Sequence, residues 1–301
     1  MNVVIVGQGA VGLLWHRHLS LSKKNNVQLL CSSSIITAPS SYTFNDLTGN
    51  TEKVSTAQAS IYSIKDADII LVCVKSFQVV DAINQLSPTL NSNAIVILCH
   101  NGMGVLEQLP EAFTQQHTIL SMLITHGAKL NSPFNIRHTG QGKADIGVIS
   151  GSITNNTSLL VTNIFNSALP NAYFHKEITH FQWQKLAINC VINPLTAMYN
   201  ISNGAIAQAF YTDVKKQILE EVVAVAHAEG ITLKLNELID TVNHVALSTA
   251  ENCSSMRSDI LAKRPTEIDY INGYIAKLGA KHNIPTPINS DYWQKITAIT
   301  A

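Results

Sequence analysis

An α/β domain followed by an all-helical domain is the fold class that this 301-residue sequence predicts. Three observations carry the prediction. Short apolar runs alternate with segments of helical period through the first half, a glycine turn joins the first run to the first helix, and strand signals fade beyond about residue 175. Continuous rather than alternating apolar runs are what parallel strands buried on both faces look like. The expected division is therefore 1–175 and 176–301.

Taken in order, "NVVIVG" is a β-branched run ending on Gly7, and "AVGLLWHRHLSLSKKNN" carries apolar residues at helical spacing before closing on lysines and asparagines. "VQLLC", "ADIILVCVKS" and "NAIVILCHNG" read as the next three strands, with the helical "FQVVDAINQL" before the last of them. Residues 119–149 hold two or three strand-like runs separated by Asn-Ser-Pro and Gly-Gln-Gly turns, and are expected to extend the same sheet. Helices are expected over 179–200, 212–229, 234–253 and 265–282. No fixed-period repeat is visible.

Composition narrows the partners. With 46% hydrophobic and 13% charged residues the chain can bury a large core. Twenty basic residues balance twenty acidic ones and no basic run exceeds a pair, so there is no electrostatic footprint for nucleic acid or an anionic membrane; a small-molecule ligand is expected. The five cysteines are scattered without a CxxC pair, as buried thiols of a reducing cytoplasm would be. The first residues lack the basic region of a leader, and no apolar stretch reaches about 18 residues, so a soluble cytoplasmic protein is expected. Eleven histidines form no HExxH or other ligand pattern, so no metal is expected. His16, His18, His175 and His180 are read as solvated or capping residues.

Gly7-Gln8-Gly9-Ala10-Val11-Gly12 fits GxGxxG between an apolar strand and a helix start. The first glycine permits the tight turn, the second lets backbone N–H groups approach a pyrophosphate, and the third lets helix and strand pack closely. A Rossmann-type dinucleotide site is the reading. The end of the second strand, where an acid would select NAD and an arginine NADP, is "CSSS". Neither is present. Ser32, Ser33 and Ser34 can offer hydroxyls to a phosphate, or form a plain polar loop.

Lys75 follows the carboxyl end of one buried strand, and His100 and Asn101 follow another, with two glycines after them. That edge of an open α/β sheet is where ligands bind. For each residue taken singly a solvated loop position is the commoner explanation; together with the glycine turn they outline a cleft. Further on, "WQKLAINCVINPLTAMYN" is apolar nearly all round except for Lys185, Asn189 and Asn193, which form one stripe at a spacing of four. An ammonium on such a helix needs a polar cleft, a carboxylate or a ligand opposite. Pro194 is expected to kink or break the helix. Glu267, near Pro265, reads from spacing alone as a helix-start acid before it reads as a carboxylate opposing Lys185.

These pieces, "GQGAVGLLW", "VKSFQVVDAI", "HNGMGVLEQL", "WQKLAINCVINPLTA", the Asn-Gly at 203–204 and "SSMRSDI…RPTEIDYINGYI", resemble the ketopantoate reductase (2-dehydropantoate 2-reductase) family from residue 1 to about 290. The resemblance implies NADPH-dependent reduction of ketopantoate to D-pantoate, on the route to pantothenate and coenzyme A. It implies a Rossmann-type domain, a helical domain of the 6-phosphogluconate-dehydrogenase kind, and an active site between them. Residue by residue, it makes Lys185 the general acid and Glu267 the carboxylate that orients substrate, with Glu267 also on the cofactor side. Asn101, Asn189, Asn193, Asn203 and Ser255 fall on substrate positions, and Gly7, Gln8, Gly9, Ala10, Val11, Gly12, Ser32, Lys75, Gln78, Asn101 and Ala128 on cofactor positions. Ser32 departs from the arginine that the resemblance implies there; NADP remains the choice because the acid of NAD enzymes is missing too. The alternatives are a reductase of another small 2-keto acid and a non-catalytic NADP-binding sensor. Oligomeric state, monomer or homodimer, is left open by the sequence.

Overall fold

The computed structural model describes residues 1–32 and 39–300; Ser33 and Ser34 lie outside the described residues. The chain divides into two compact units. The first takes Met1–His100 and Val105–Ile178, the second Asn101–Gly104 and Thr179–Ala301.

In the first unit the order is β1 (Asn2–Val6), α1 (Ala10–Leu19), β2 (Asn26–Leu30), β3 (Ser41–Asn45), β4 (Thr51–Ser55), α2 (Ile61–Lys65), β5 (Ile69–Val72), α3 (Ser76–Leu86) and β6 (Ile95–Leu98). There follow α4 (Glu111–Gln116), β7 (Ile119–Ile124), β8 (Gly127–Ser132), β9 (Asn135–Gly140), β10 (Ala144–Ser150), α5 (Asn155–Ala168) and β11 (Ala172–His175). Seven strands form one sheet in the order β11-β10-β7-β6-β5-β1-β2. Strands β2, β1, β5, β6 and β7 are mutually parallel, and β10 runs antiparallel to β7. The all-apolar runs of β5 and β6 are buried at every position, as central strands covered on both faces must be.

The expectation that 119–149 simply extends this sheet is corrected. Strands β7 and β10 do extend it, but β8 and β9 join β3 and β4 in a separate four-stranded sheet, order β4-β3-β9-β8. This small sheet is half solvated: β3 buries Tyr42 and Phe44 and leaves its other positions partly open. Helix α1 packs on β8, β9 and α5, and Trp15 meets Phe165 edge to face at 5.1 Å.

That packing also corrects the reading of the first-helix histidines. His16 is buried, and because the Tyr42 hydroxyl donates to the Leu13 carbonyl at 3.0 Å, the His16 Nδ1–H donates to the Tyr42 oxygen at 3.1 Å. The His18 and His138 rings lie 5.6 Å apart, and His138 and His126 5.9 Å apart. Burial lowers His16, His18 and His126 to about 4, so all three are neutral at physiological pH. His175 is also not merely solvated; its Nε2 lies 2.8 Å from the Asp145 carboxylate.

The second unit is helical: α6 (Thr179–Tyr199), α7 (Thr212–Ala228), α8 (Leu235–Ser248), α9 (Ser255–Leu261), α10 (Asn272–Lys281) and α11 (Pro287–Thr300), with short 3-10 turns at Asn203–Ala207, Ala209–Tyr211 and Ile268–Tyr270. Helix α6 is the hub, packed by α7, α8, α9 and α11. Its Leu186, Ala187, Cys190, Val191 and Leu195 are essentially inaccessible. The single helix expected over 265–282 is instead a 3-10 turn and α10, divided at Ile271, whose ψ of −97° leaves the helical region.

Pro194 lies inside α6, which continues to Tyr199 as the expected 179–200 span requires; of the expected kink or break, the break does not occur. A proline at 194 leaves the Cys190 carbonyl without its usual helical donor. Here the buried Asn272 side chain donates to that carbonyl at 3.0 Å, and the Thr196 hydroxyl lies 2.6 Å from the Ile192 carbonyl. No helix of the described residues is long and apolar enough to cross a membrane.

Candidate active site

In the first unit the glycine turn has the geometry that its three glycines require. Gly7 sits at φ +106°, and a Cβ there would come within 2.9 Å of the Cys73 carbonyl oxygen. A Cβ on Gly12 would lie 2.0 Å from the Gly7 carbonyl oxygen, so only glycine lets α1 start this close to β1. Gly9 differs. Its φ of −71° suits any residue, and a Cβ there would meet nothing nearer than the Cys73 oxygen at 3.8 Å. Among the described residues no packing demands the second glycine, and the space over it suits a ligand.

Ala10 and Val11 open α1, and the first turn has no acidic side chain. The first N–H groups of a helix have no intrahelical acceptor and favour an anion. These residues fit a dinucleotide pyrophosphate. Gln8 reaches the end of β2, where its Oε1 accepts the Ser32 N–H at 3.0 Å, and Ser32 itself is exposed. Lys75 stands at the N-cap of α3, where its N–H donates to the Gln78 side chain at 3.2 Å. Ala128 is half-buried on β8, paired with His138 of β9. Burial pushes the Cys73 thiol beneath the turn well up, so it stays protonated and is no nucleophile.

The second unit gathers most of the remaining candidates. Lys185 and Asn189 are half-buried on α6, and Asn193 is only 6% exposed. Glu267 is 4% exposed, and both its oxygens are engaged by Asn101: the backbone N–H donates to Oε1 and the side-chain amide to Oε2, each at 3.3 Å. Asn101 is carried there by a short loop that packs with the second unit. Met103 N–H donates to the Tyr270 carbonyl at 2.8 Å, and Gly102, at φ +81°, lies so close that a Cβ would fall 2.2 Å from the same oxygen.

Asn203 is 8% exposed; its Nδ2 donates to the Thr249 hydroxyl oxygen at 3.0 Å. The Thr249 hydroxyl itself donates to the Val245 carbonyl at 2.7 Å, which fixes the amide orientation. Asn203 Oδ1 is then a buried acceptor with no partner among the described residues. Such a group costs stability unless something supplies a donor. Ser255 is exposed at the start of α9. The neighbouring Ser254 is the buried cap, accepting the Arg257 N–H at 3.1 Å with its oxygen 2.7 Å from the Thr196 hydroxyl.

Thus the second unit joins Asn101 to Glu267 and lines up Lys185, Asn189 and Asn193 on one helix, while Gly7 to Gly12, Ser32, Lys75, Gln78 and Ala128 belong to the first. Ser254, Thr249 and Asn272 were not singled out by sequence reasoning. Ser254 carried a signal, a serine ahead of a helical segment; the other two carried none.

Comparison with known proteins accounts for nearly the whole chain. The family model described as ketopantoate reductase PanE/ApbA matches residues 3–151, and that of its C-terminal domain matches 177–300. A 2-dehydropantoate 2-reductase of Vibrio cholerae serotype O1 is 36% identical over 299 residues, covering 99% of this chain and 98% of its own. The crystal structure of a PanE/ApbA family ketopantoate reductase from Ralstonia eutropha JMP134 superposes with a TM-score of 0.86 at 25% identity, covering 100% of this chain and 98% of that one. A D-mandelate dehydrogenase solved with NADH and anilino(oxo)acetate shares the fold, with a TM-score of 0.89 at 21% identity and cover of 100% and 98%. With a Rossmann-type unit and a helical unit both matched, the chain belongs to the ketopantoate reductase PanE/ApbA family.

Proposed function

We propose that this protein is a cytoplasmic 2-dehydropantoate 2-reductase, an oxidoreductase that reduces ketopantoate to D-pantoate with NADPH on the route to pantothenate and coenzyme A. The observation that carries the reading is chemical: one helical unit presents an ammonium, a row of amides and a buried carboxylate held by Asn101. Family membership and the open space over Gly9 support it.

The dinucleotide, when bound, supplies the hydride that reduces the ketone carbon. Gly7, Gly9 and Gly12 would hold its pyrophosphate at the start of α1, and Gln8, Ala10, Val11, Lys75, Gln78 and Ala128 would complete the cofactor site. As the ketone oxygen gains charge, the Lys185 ammonium donates a hydrogen bond to it and then passes it a proton. A donor that strengthens as charge develops lowers the barrier more than it tightens ground-state binding. Asn101 keeps Glu267 in place to accept from the substrate's terminal hydroxyl. Asn203 Oδ1 accepts a second substrate donor, and Asn189, Asn193 and Ser255 complete the orientation.

NADPH is the proposed reductant because no carboxylate follows β2 to bind the ribose hydroxyls of NAD and repel a 2′-phosphate. In this reading the exposed Ser32, at the end of β2, is the residue that meets that phosphate. Following the absorbance of NADPH and then NADH at fixed ketopantoate tests this directly; faster loss of NADPH is expected, and no turnover with either refutes the reading. The shared fold with a D-mandelate dehydrogenase favours one second reading, reduction of another 2-keto acid. A panel of small keto acids, compared by kcat/KM, separates the two.

A further inference from the structure

We infer that Asn272 is a positioning residue for this reaction, an inference that rests on the proposed roles of Lys185 and Glu267. It uses the side-chain N–H that replaces the one missing at Pro194 to hold α6 in register with the segment that carries Glu267. The Cys190 carbonyl is the one that residue 194 would serve in an unbroken helix, and proline has no N–H to give. Asn272 Nδ2 donates to that carbonyl at 3.0 Å and to Asn289 Oδ1 at 2.9 Å.

The anchor is itself anchored. Asn289 donates through Nδ2 to the Glu221 carboxylate at 2.7 Å and to the Ile218 carbonyl at 3.2 Å. Glu221 in turn accepts the Ile288 and Asn289 backbone N–H groups at 2.8 Å each, at the start of α11. Asn272 and Asn289 are both fully buried. Asn272 Oδ1 has no partner among the described residues, so the amide is kept at a cost, and what it provides is its two N–H donors.

Its position gives the contact a consequence for chemistry. Cys190 follows Asn189 within the stretch of α6 that carries Lys185, Asn189 and Asn193, while Asn272 follows Glu267 across one 3-10 turn. Asn101 clamps the first end of that short segment and Asn272 its second. A substrate held by both Lys185 and Glu267 therefore depends on the Asn272 to Cys190 bond for the spacing of its two partners. A displacement of about 1 Å at a reacting group can cost about a hundredfold in rate.

The test is a cycle of Asn272→Ala, Pro194→Ala and the double variant. Each is read by kcat and KM for ketopantoate, by dinucleotide affinity, and by hydrogen exchange of the α6 amides. Asn272→Ala is expected to lower kcat at least tenfold and speed exchange beyond Leu186, with dinucleotide affinity unchanged. Pro194→Ala restores a helical donor to Cys190, so in that background the same change should lower kcat no more than about threefold and leave α6 exchange slow. An equal loss in both backgrounds, or a double variant that fails to fold where Pro194→Ala folds, overturns the inference. If the unaltered protein does not turn over ketopantoate the proposed function falls, and the exchange data still decide whether Asn272 holds α6.

Discussion

The Glu267 carboxylate is gripped from 166 positions earlier in the chain, by both the main-chain N–H and the side-chain amide of Asn101. A nearly inaccessible carboxylate is costly unless its oxygens are satisfied, so Asn101 both pays for its burial and aims it. Asn101→Ala should lower kcat/KM for ketopantoate by about tenfold or more, the equivalent of the 1–3 kcal/mol of one lost buried partner. Asn101→Asp should be worse, since it sets a like charge beside Glu267. Steady-state kinetics of the two variants checks the order; equal activity in Asn101→Asp and the unaltered protein contradicts it.

Lys185 and Asn203 should separate by kinetic parameter. Removal of a transition-state donor costs about a hundredfold or more, so Lys185→Ala should fall mainly in kcat. Asn203→Ala removes a buried acceptor that has no protein partner among the described residues, and should raise KM about tenfold while kcat moves little. A normal KM in Asn203→Ala would place that oxygen away from the substrate.

The glycine turn makes a paired prediction. Gly12→Ala forces a methyl to within 2.0 Å of the Gly7 oxygen and should destabilise the first unit by about 1–3 kcal/mol, as overpacking does. Gly9→Ala meets no such obstacle and should leave the melting temperature nearly unchanged while weakening dinucleotide binding at least tenfold. Thermal melts beside titration calorimetry with NADPH distinguish a folding defect from a binding defect.

Acid should loosen the first unit. His16, His18 and His126 are held near 4 by burial, whereas an unfolded chain takes up protons on histidine below about pH 6.5. The unfolded state then binds more protons, so the stabilisation is complete above that pH and is lost as pH falls toward 4. Melting between about pH 7.5 and 5 should shift down by roughly 5 °C or more for the first unit. His18→Gln, which removes one titrating ring beside His138, should flatten that slope; an unaltered slope in His18→Gln and His126→Gln would assign it to other groups.

The parallel core of the first unit was legible because β1, β5 and β6 are continuous apolar runs with no competing period. The small sheet was not. Strand β4, "TEKVS", buries no residue and β3 buries only alternate ones, so neither carries enough apolar signal to stand out from loop. The break at Ile271 was hidden by apolar residues that keep helical spacing through "EIDYINGYI". How α6 accommodates Pro194 was unreadable for a different reason: the donor that serves the Cys190 carbonyl comes from 82 residues away. Within the candidate site the amide row was legible as a pattern on one helix, whereas the Asn101–Glu267 pairing is a contact across 166 positions that no local pattern carries; the resemblance placed each residue at the site without pairing them.

The excursion of Asn101–Gly104 into the helical unit bears on how this protein can be dissected. A gene fragment beginning at Thr179 would encode every helix from α6 to α11 yet omit the residue that grips Glu267. Grafting that helical half onto another nucleotide-binding half would inherit the carboxylate and borrow its clamp from the new host. Compatible swaps are therefore those whose donor carries an Asn-Gly-x-Gly loop after the corresponding strand, and the modular boundary of this enzyme is a three-dimensional one that no single cut in the sequence reproduces.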